Sequence, residues 1–228
     1  MQIIAHRGAS GTLPENTMVA FRRALDENAG GIELDVHRCA SGEMVVIHDA
    51  TLKRTTNGNG RVARRTLSEL RTLDTGNGEG VPALQEVLAL VAGRIPVYIE
   101  LKHTFSAIPI LAELKQYVKS GGRLQDVMVI TTLYRELEEL AALDKRIPLG
   151  AGMPRGAIPT LKQLMARLPI QAIFPYHDRV DAAFVEVAHA AQVQVYPWTV
   201  NQVAEAKRLQ ACGVDGIITD VPGVMQKL

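Results

Sequence analysis

The chain is poor in cysteine. Cys39 and Cys212 are the only two, far apart in the sequence, which suits a reducing compartment better than a disulfide framework. Both read as packing residues rather than nucleophiles. Long apolar runs are also missing: no window approaches the roughly 18 residues of a membrane span, and the start, Met1 to His6, has neither the basic region nor the apolar stretch of a signal peptide. Charge of one sign is scarce as well. A net charge of +1 sets up no field that favours nucleic acid or an anionic membrane. No repeat period or low-complexity tract occurs. These absences lead us to expect a soluble cytoplasmic protein that acts on small molecules, without nucleic acid and without stable membrane anchoring; a homodimer is compatible with them.

What is present is enough apolar residue, 47% of 228, for one large core. Short apolar runs alternate with helical patterns from end to end, which argues for parallel α/β architecture. The predicted strands are Gln2 to His6, Gly31 to His37, Glu43 to His48, Pro96 to Lys102, Val127 to Thr132, Ile147 to Ala151, Gln171 to Pro175, Val193 to Thr199 and Asp215 to Thr219. Too few residues separate Val36 from Val45 for a parallel crossover, and Ser41-Gly42 marks a turn, so Glu43 to His48 is a hairpin partner of the preceding strand. The other eight fit a TIM-type (β/α)8 barrel, a single domain over residues 1–228, closed by a short last helix from Pro222.

Helical faces recur at Met18, Phe21 and Leu25 after Asn16-Thr17, at Leu161, Leu164, Met165 and Leu168 after Thr160, and over Asp181 to Gln192 and Gln202 to Ala211. One region, Asp49 to Pro82, breaks the alternation with Gly, Asn, Thr and Arg. Its Thr66-Leu67-Ser68-Glu69 has capping-box spacing. We read residues of about 50–82 as a small insertion after the second-strand hairpin, placed where it would cover one mouth of the barrel.

Chemistry concentrates on strand parity. Glu33 and Asp35 share one face of their strand while Ile32, Leu34 and Val36 face the other way; Glu100 and Lys102 repeat this against Ile99 and Leu101. In a barrel both polar sets point inward, where branched apolar side chains are the rule, and such violations are expected at functional sites. Three converging carboxylates are tolerated if a divalent cation holds them, and an all-oxygen set favours Mg²⁺, Ca²⁺ or Mn²⁺ over Zn²⁺. The competing reading is a metal-free network neutralised by Arg7 and Lys102.

His6 and His48 end strands, where an imidazole can reach the barrel mouth and exchange protons near neutral pH; a hydrogen-bonded structural role is the alternative for each. His37 continues the parity of Glu33 and Asp35 toward the rim, His177 is a candidate for the mouth, and His103 and His189 are placed away from the chemistry. Arg7 and Lys102 beside the acids point to an anionic substrate such as a phosphate ester. Trp198, the single tryptophan, ends a strand and offers a flat apolar wall.

The motifs Ala5-His6-Arg7-Gly8, Pro14-Glu15-Asn16-Thr17, Glu33-Leu34-Asp35-Val36, Val46-Ile47-His48-Asp49 with Leu52-Lys53-Arg54-Thr55-Thr56, Glu100-Leu101-Lys102, Trp198-Thr199-Val200-Asn201 and Gly213 to Asp220 occur in order over nearly the whole chain. Together they closely resemble the glycerophosphodiester phosphodiesterase family, in its compact cytoplasmic bacterial form. The resemblance implies a TIM-type barrel with the insertion, a divalent metal on Glu33, Asp35 and Glu100, an acid–base pair of His6 and His48, phosphate binding by Arg7 and Lys102, and Glu15 at the rim. It implies hydrolysis of glycerophosphodiesters to sn-glycerol 3-phosphate and an alcohol. Lysophospholipase D-type cleavage and non-catalytic phosphodiester binding are the rivals. There are two departures: Cys39-Ala40-Ser41-Gly42 at the hairpin turn, which still allows a turn and touches no catalytic role, and Ile130-Thr131-Thr132-Leu133-Tyr134 where the family often has Ser-Phe, which leaves the alcohol-side wall to Thr132 or Tyr134.

Overall fold

The computed structural model describes residues 1–154 and 161–228. Its strands are β1 (Gln2–His6), β2 (Gly31–Arg38), β3 (Met44–Val46), β4 (Val97–Leu101), β5 (Val127–Thr131), β6 (Leu149–Met153), β7 (Ala172–Pro175), β8 (Gln194–Val195) and β9 (Gly216–Thr219). The helices are α1 (Met18–Asp26), α2 (Leu67–Arg71), α3 (Leu84–Val91), α4 (Ala107–Lys119), α5 (Tyr134–Leu143), α6 (Leu161–Arg167), α7 (Ala182–Ala190), α8 (Val203–Ala211) and α9 (Pro222–Met225). Eight strands run parallel in the order β8-β7-β6-β5-β4-β2-β1-β9, and β3 pairs antiparallel with β2 through Val36 and Val46. The Asp215 and Ile218 N–H groups donate to the Val195 and Pro197 carbonyls at 3.1 and 2.9 Å, closing the sheet on itself. The result is the expected (β/α)8 barrel.

Two strands are shorter than their apolar patterns. β3 stops at Val46, so His48 lies beyond it, and β8 stops at Val195, so Trp198 follows the strand rather than ending it. Pro197 cannot donate toward β9, and the regular ladder lapses there. Helix starts follow the capping signals. The Thr17 hydroxyl accepts from the Ala20 N–H, Asp181 accepts from Phe184, and Thr66 and Glu69 form the expected capping box. The apolar positions Phe21, Leu164 and Leu168 are buried. Thr160 and the side chain of Leu161 lie outside the described residues.

Strand alternation sorts the core into two layers. Ile32, Leu34 and Val36 face outward and pack with helix residues such as Phe21, Leu84 and Leu88. Inside the barrel Tyr98, Phe174 and Tyr196 gather with centroids 5.5–5.8 Å apart, surrounded by Ile4, Met128 and Ile130. Glycines make room for these rings. A Cβ on Gly150 would sit 2.5 Å from Phe174 Cε2, one on Gly31 2.9 Å from Tyr98 Cε2, and one on Gly216 2.9 Å from Tyr196 Cδ1. The rings form a packed floor beneath the strand ends.

The segment between β3 and α3 leaves the alternation and carries α2. Its Leu52, Val62, Leu70 and Val81 build a separate apolar cluster with Cys39, Val45 and Ile47 of the hairpin. It is therefore anchored on the hairpin by its own small core. Among the described residues no helix is long and apolar enough to cross a membrane.

Because the floor is already filled, Gly150→Ala should destabilise the fold by about 1–3 kcal/mol through overpacking. Urea unfolding with unchanged slope and a lowered midpoint would show it; an unchanged midpoint would mean the rings have room to move.

Candidate active site

The inward positions at the C-terminal ends of β1, β2 and β4 bring the predicted acids together, the end of the barrel at which such folds carry out chemistry. Register places His6 beside Glu33 and Asp35 beside Glu100. One carboxylate oxygen from each of Glu33, Asp35 and Glu100 lies within 4.8 Å of the others. Glu33 and Asp35 are buried, at 2% and 0% exposure. This is the parity violation seen in the sequence, now in three dimensions.

Arg7 and Lys102 face these acids. Arg7 Nε is 3.0 Å from Asp35 Oδ2, and Lys102 Nζ is 3.5 Å from Asp35 Oδ1 and 3.2 Å from Glu100 Oε1. Arg7 adopts a left-handed backbone, φ 57°. Its N–H donates to the Glu33 carbonyl at 2.9 Å and reaches Glu33 Oε2 at 3.1 Å, while its carbonyl accepts from the Asn16 N–H. Gly8 follows at φ 82°, where a Cβ would strike Ala20 of α1 at 2.8 Å. Strain of this kind persists where the surroundings over-determine it, and here it aims the guanidinium at the acids.

Two cations against three carboxylates leave one negative charge uncompensated. Burial, then the charges of Asp35 and Glu100, push Glu33 well above the ordinary carboxylate range despite Arg7 and Lys102. Burial and Asp35 push Glu100 up as well. Burial also opposes ionisation of Asp35, but Arg7 and Lys102 outweigh it and hold this carboxyl below its usual value. Asp35 Oδ1 is buried with no hydrogen-bond partner, an expensive state for a carboxylate oxygen. An anionic oxygen that accepts no hydrogen bond and has the Lys102 ammonium at 3.5 Å, two neighbouring carboxylates and spacing within the roughly 3–5 Å that separates ligands of one hard divalent cation fit a Mg²⁺, Ca²⁺ or Mn²⁺ site.

Both candidate histidines are held alike. His6 Nδ1 is 2.6 Å from Asp220 Oδ1, leaving Nε2 4.0 Å from Glu33 Oε2. His48 Nδ1 is 2.7 Å from Asp49 Oδ1. Burial opposes ionisation of Asp220, yet its bond to His6 holds its pKa down at about 2; hydrogen bonds from Arg54, despite some burial, keep Asp49 further down still. Ionised carboxylates only accept, so each Nδ1 carries the proton and each Nε2 is free for the cavity. Burial also lowers His48 below the usual imidazole value, with Asp35 and Asp49 offsetting part of the shift.

A cavity of about 260 Å³ lies between two unlike walls. His6, Arg7, Glu33, His48, Glu100 and Lys102 form one; Ile130, Thr132, Gly152, Phe174, Trp198 and Ile218 form the other, without a charged side chain. Trp198 is fixed by its Nε1–H, which donates to the Phe174 carbonyl at 2.8 Å. Thr132 lines the cavity, whereas the Tyr134 hydroxyl is turned to the Gly152 carbonyl at 2.9 Å.

Other expectations need correcting. His177 is paired with Glu205 at 2.8 Å and does not line this cavity, because α8 brings a carboxylate to it. His37 is a supporting group, its Nε2–H donating to the His48 carbonyl at 3.0 Å. Among the described residues none of 50–82 lines the cavity, and from this segment Arg54 reaches the site, bonding Glu15 and Asp49 at 2.8–2.9 Å. Glu15 in turn accepts from Arg7 at 2.8 Å. The parity argument missed Asn16, whose amide donates to Asp35 Oδ2 at 2.9 Å, and Asp220, 214 residues from its partner His6. The available signal for both was their place in the ordered motifs.

The sequence matches the glycerophosphoryl diester phosphodiesterase family over residues 6–224. It is 34% identical over 235 residues to a glycerophosphodiester phosphodiesterase of Caldanaerobacter subterraneus subsp. tengcongensis, covering 99% of this chain and 96% of that protein. It is 36% identical over 236 residues to a putative glycerophosphodiester phosphodiesterase of Bacillus subtilis, covering 100% and 97%. In fold it resembles an Oleispira antarctica phosphodiesterase solved in complex with the product sn-glycerol-3-phosphate, with a TM-score of 0.90, 28% identity, and coverage of 100% of this chain and 96% of that one. With matches of this extent over a barrel and charged mouth of this design, the chain belongs to the glycerophosphoryl diester phosphodiesterase family, and so to the phosphoric diester hydrolases.

Proposed function

We propose that the chain hydrolyses glycerophosphodiesters to sn-glycerol 3-phosphate and a free alcohol, with a divalent cation on Glu33, Asp35 and Glu100 and with His6 and His48 exchanging protons. The observation that carries this reading is the set of three crowded carboxylates facing two fixed cations and two imidazoles whose Nδ1 atoms are already engaged. The product bound by the Oleispira antarctica relative supports the substrate class.

When bound, the cation would neutralise the excess charge and polarise a phosphoryl oxygen. Arg7 and Lys102 would grip the phosphoryl oxygens, Arg7 with a planar fork and Lys102 as a point charge. With phosphate on the charged wall, the carbon skeleton of the substrate falls against the neutral wall of Phe174, Trp198 and Ile218. One imidazole, neutral with its proton on Nδ1, takes the proton of the attacking oxygen at Nε2, and the other, entering as the imidazolium, gives its Nε2 proton to the leaving alkoxide, so that the two rings exchange protonation states. Asp220 and Asp49 hold the two rings in orientation and tautomer throughout. The attacking oxygen is water or the glycerol 2-hydroxyl, and the second route passes through a cyclic phosphate that can be trapped.

A second reading has a specific observation behind it. In the loop after Lys102 and the first turn of α4, Phe105 and Ile108 are 83% and 65% exposed. They offer apolar surface to an acyl chain, which suits lysophospholipase D-type cleavage.

Three outcomes test these readings. His6→Ala and His48→Ala, each correctly folded, should lose about 10²- to 10⁴-fold in turnover of glycerophosphocholine; near-wild-type rates would remove them from the chemistry. Chelation should abolish turnover and Mg²⁺ or Ca²⁺ should restore it, while Glu33→Gln and Asp35→Asn should weaken cation binding in calorimetry; full activity in excess chelator would contradict the metal site. Glycerophosphocholine should be cleaved faster than lysophosphatidylcholine, and the reverse order would favour the second reading.

A further inference from the structure

Arg54 stands apart from the excursion that carries it. The rest of that segment packs on the hairpin, yet this guanidinium reaches back to the barrel rim and bonds two carboxylates at once. Its Nε and Nη2 donate to Asp49 Oδ2 and Oδ1 at 2.8 and 2.9 Å, and its Nη1 and Nη2 donate to Glu15 Oε2 and Oε1, both at 2.8 Å. Each carboxylate has a second partner in the site. Asp49 Oδ1 holds His48 Nδ1 at 2.7 Å, and Glu15 Oε1 holds Arg7 Nη1 at 2.8 Å.

The five side chains thus form one line, His48–Asp49–Arg54–Glu15–Arg7, with Arg54 as its centre. The two ends come from different parts of the chain: His48 follows β3, and Arg7 follows β1. No strand pairing joins β1 to β3, since β2 lies between them. We propose that Arg54 is a positioning residue that sets the His48 imidazole and the Arg7 guanidinium relative to one another, so that proton transfer and phosphate binding are aligned on the same substrate.

The shape of the group matters here. Four donated bonds to two carboxylates require a planar fork, and the single ammonium of lysine, with three donors around one point, does not span both acceptors. The other dyad serves as an internal contrast. Asp220, the partner of His6, is held by Ser10 and Asn201 at 3.0 and 2.6 Å, neutral donors on the loops of its own side of the barrel. His6 needs no bridge from the excursion; His48 has one.

The inference rests on the catalytic reading of His48 and Arg7, and the test separates the two. Kinetics on glycerophosphocholine would be measured for Arg54→Gln, Arg54→Lys, Asp49→Asn, the Asp49→Asn/Arg54→Gln pair, His48→Ala and, as a control in the same excursion, the exposed Arg64→Gln. Displacement of a reacting group by a fraction of its bond length is costly, so Arg54→Gln should lower kcat/KM by about 10- to 100-fold, with both a lower kcat and a higher KM. Arg54→Lys should recover less than about threefold of that loss, and Arg64→Gln should stay near wild type. In the Asp49→Asn background Arg54→Gln should still raise KM through Glu15 and Arg7 but should lower kcat little further, since the His48 arm is already cut. The imidazole ¹⁵N resonances of His48 should shift from a single Nδ1–H tautomer toward a mixture in Arg54→Gln. Wild-type kinetics in Arg54→Gln, or full rescue by lysine, would overturn the proposal while His48→Ala remained inactive. An active His48→Ala would instead overturn the catalytic reading beneath it. If Arg54→Gln fails to fold, Arg54→Lys with its His48 resonances decides the same question.

Discussion

Glu33, Asp35 and Glu100 place three like charges inside a barrel whose floor is built of rings and aliphatic chains. Burial of one ionised carboxylate without partners costs several kcal/mol, and crowding adds to that. Much of the local structure answers this one problem. Arg7 is bent into a left-handed conformation to reach Asp35, Lys102 follows Glu100 on the same strand face, and Asn16 is turned inward to donate to Asp35 Oδ2. Even so one carboxylate oxygen stays without a donor and Glu33 is driven toward its protonated form. The protein side chains alone therefore do not balance the site, and this imbalance is what a divalent cation would remove.

Beside the crowded acids, each imidazole has a carboxylate of its own. Asp220 and Asp49 each accept a hydrogen bond from Nδ1–H, so Nε2 is the nitrogen presented to the cavity. The surroundings of the two dyads differ: Asp220 is held by neutral groups, whereas Asp49 is doubly bonded to a guanidinium. Two chemically similar pairs thus sit in different fields, which is the ordinary means by which one site assigns opposite proton-transfer duties to like residues.

Periodicity made the barrel and the acids legible. The period-2 pattern put Glu33 with Asp35 and Glu100 with Lys102 on inward faces, and the short gap between Val36 and Val45 forced a hairpin, as found. Such arguments work within one strand. They say little about groups brought together by closure of the barrel, and so the 214-residue reach from His6 to Asp220 and the bridge from Arg54 to Glu15 lay beyond them. Strand ends were overextended for a related reason. Tyr196 to Thr199 look like strand by composition, but Pro197 has no N–H to give the ladder and the regular strand ends at Val195. The position of His177 after β7 points to the mouth, but Glu205 of α8, three elements further along the chain, pairs with it away from the cavity.

The floor and the acids belong to one design. Tyr98, Phe174 and Tyr196 fill the barrel so closely that Gly31, Gly150 and Gly216 cannot carry a Cβ without displacing them. A filled floor keeps water from solvating the carboxylates from below, which makes their mutual repulsion stronger than it would be in a wet barrel. Under the proposed function, the same exclusion would strengthen their attraction for a cation and sharpen the pull of Arg7 and Lys102 on an incoming phosphate. Packing at the bottom of the barrel and charge at its mouth therefore act in opposite senses on stability and on binding: the better filled the floor, the more the crowded carboxylates cost the fold and the more firmly they would hold a divalent cation.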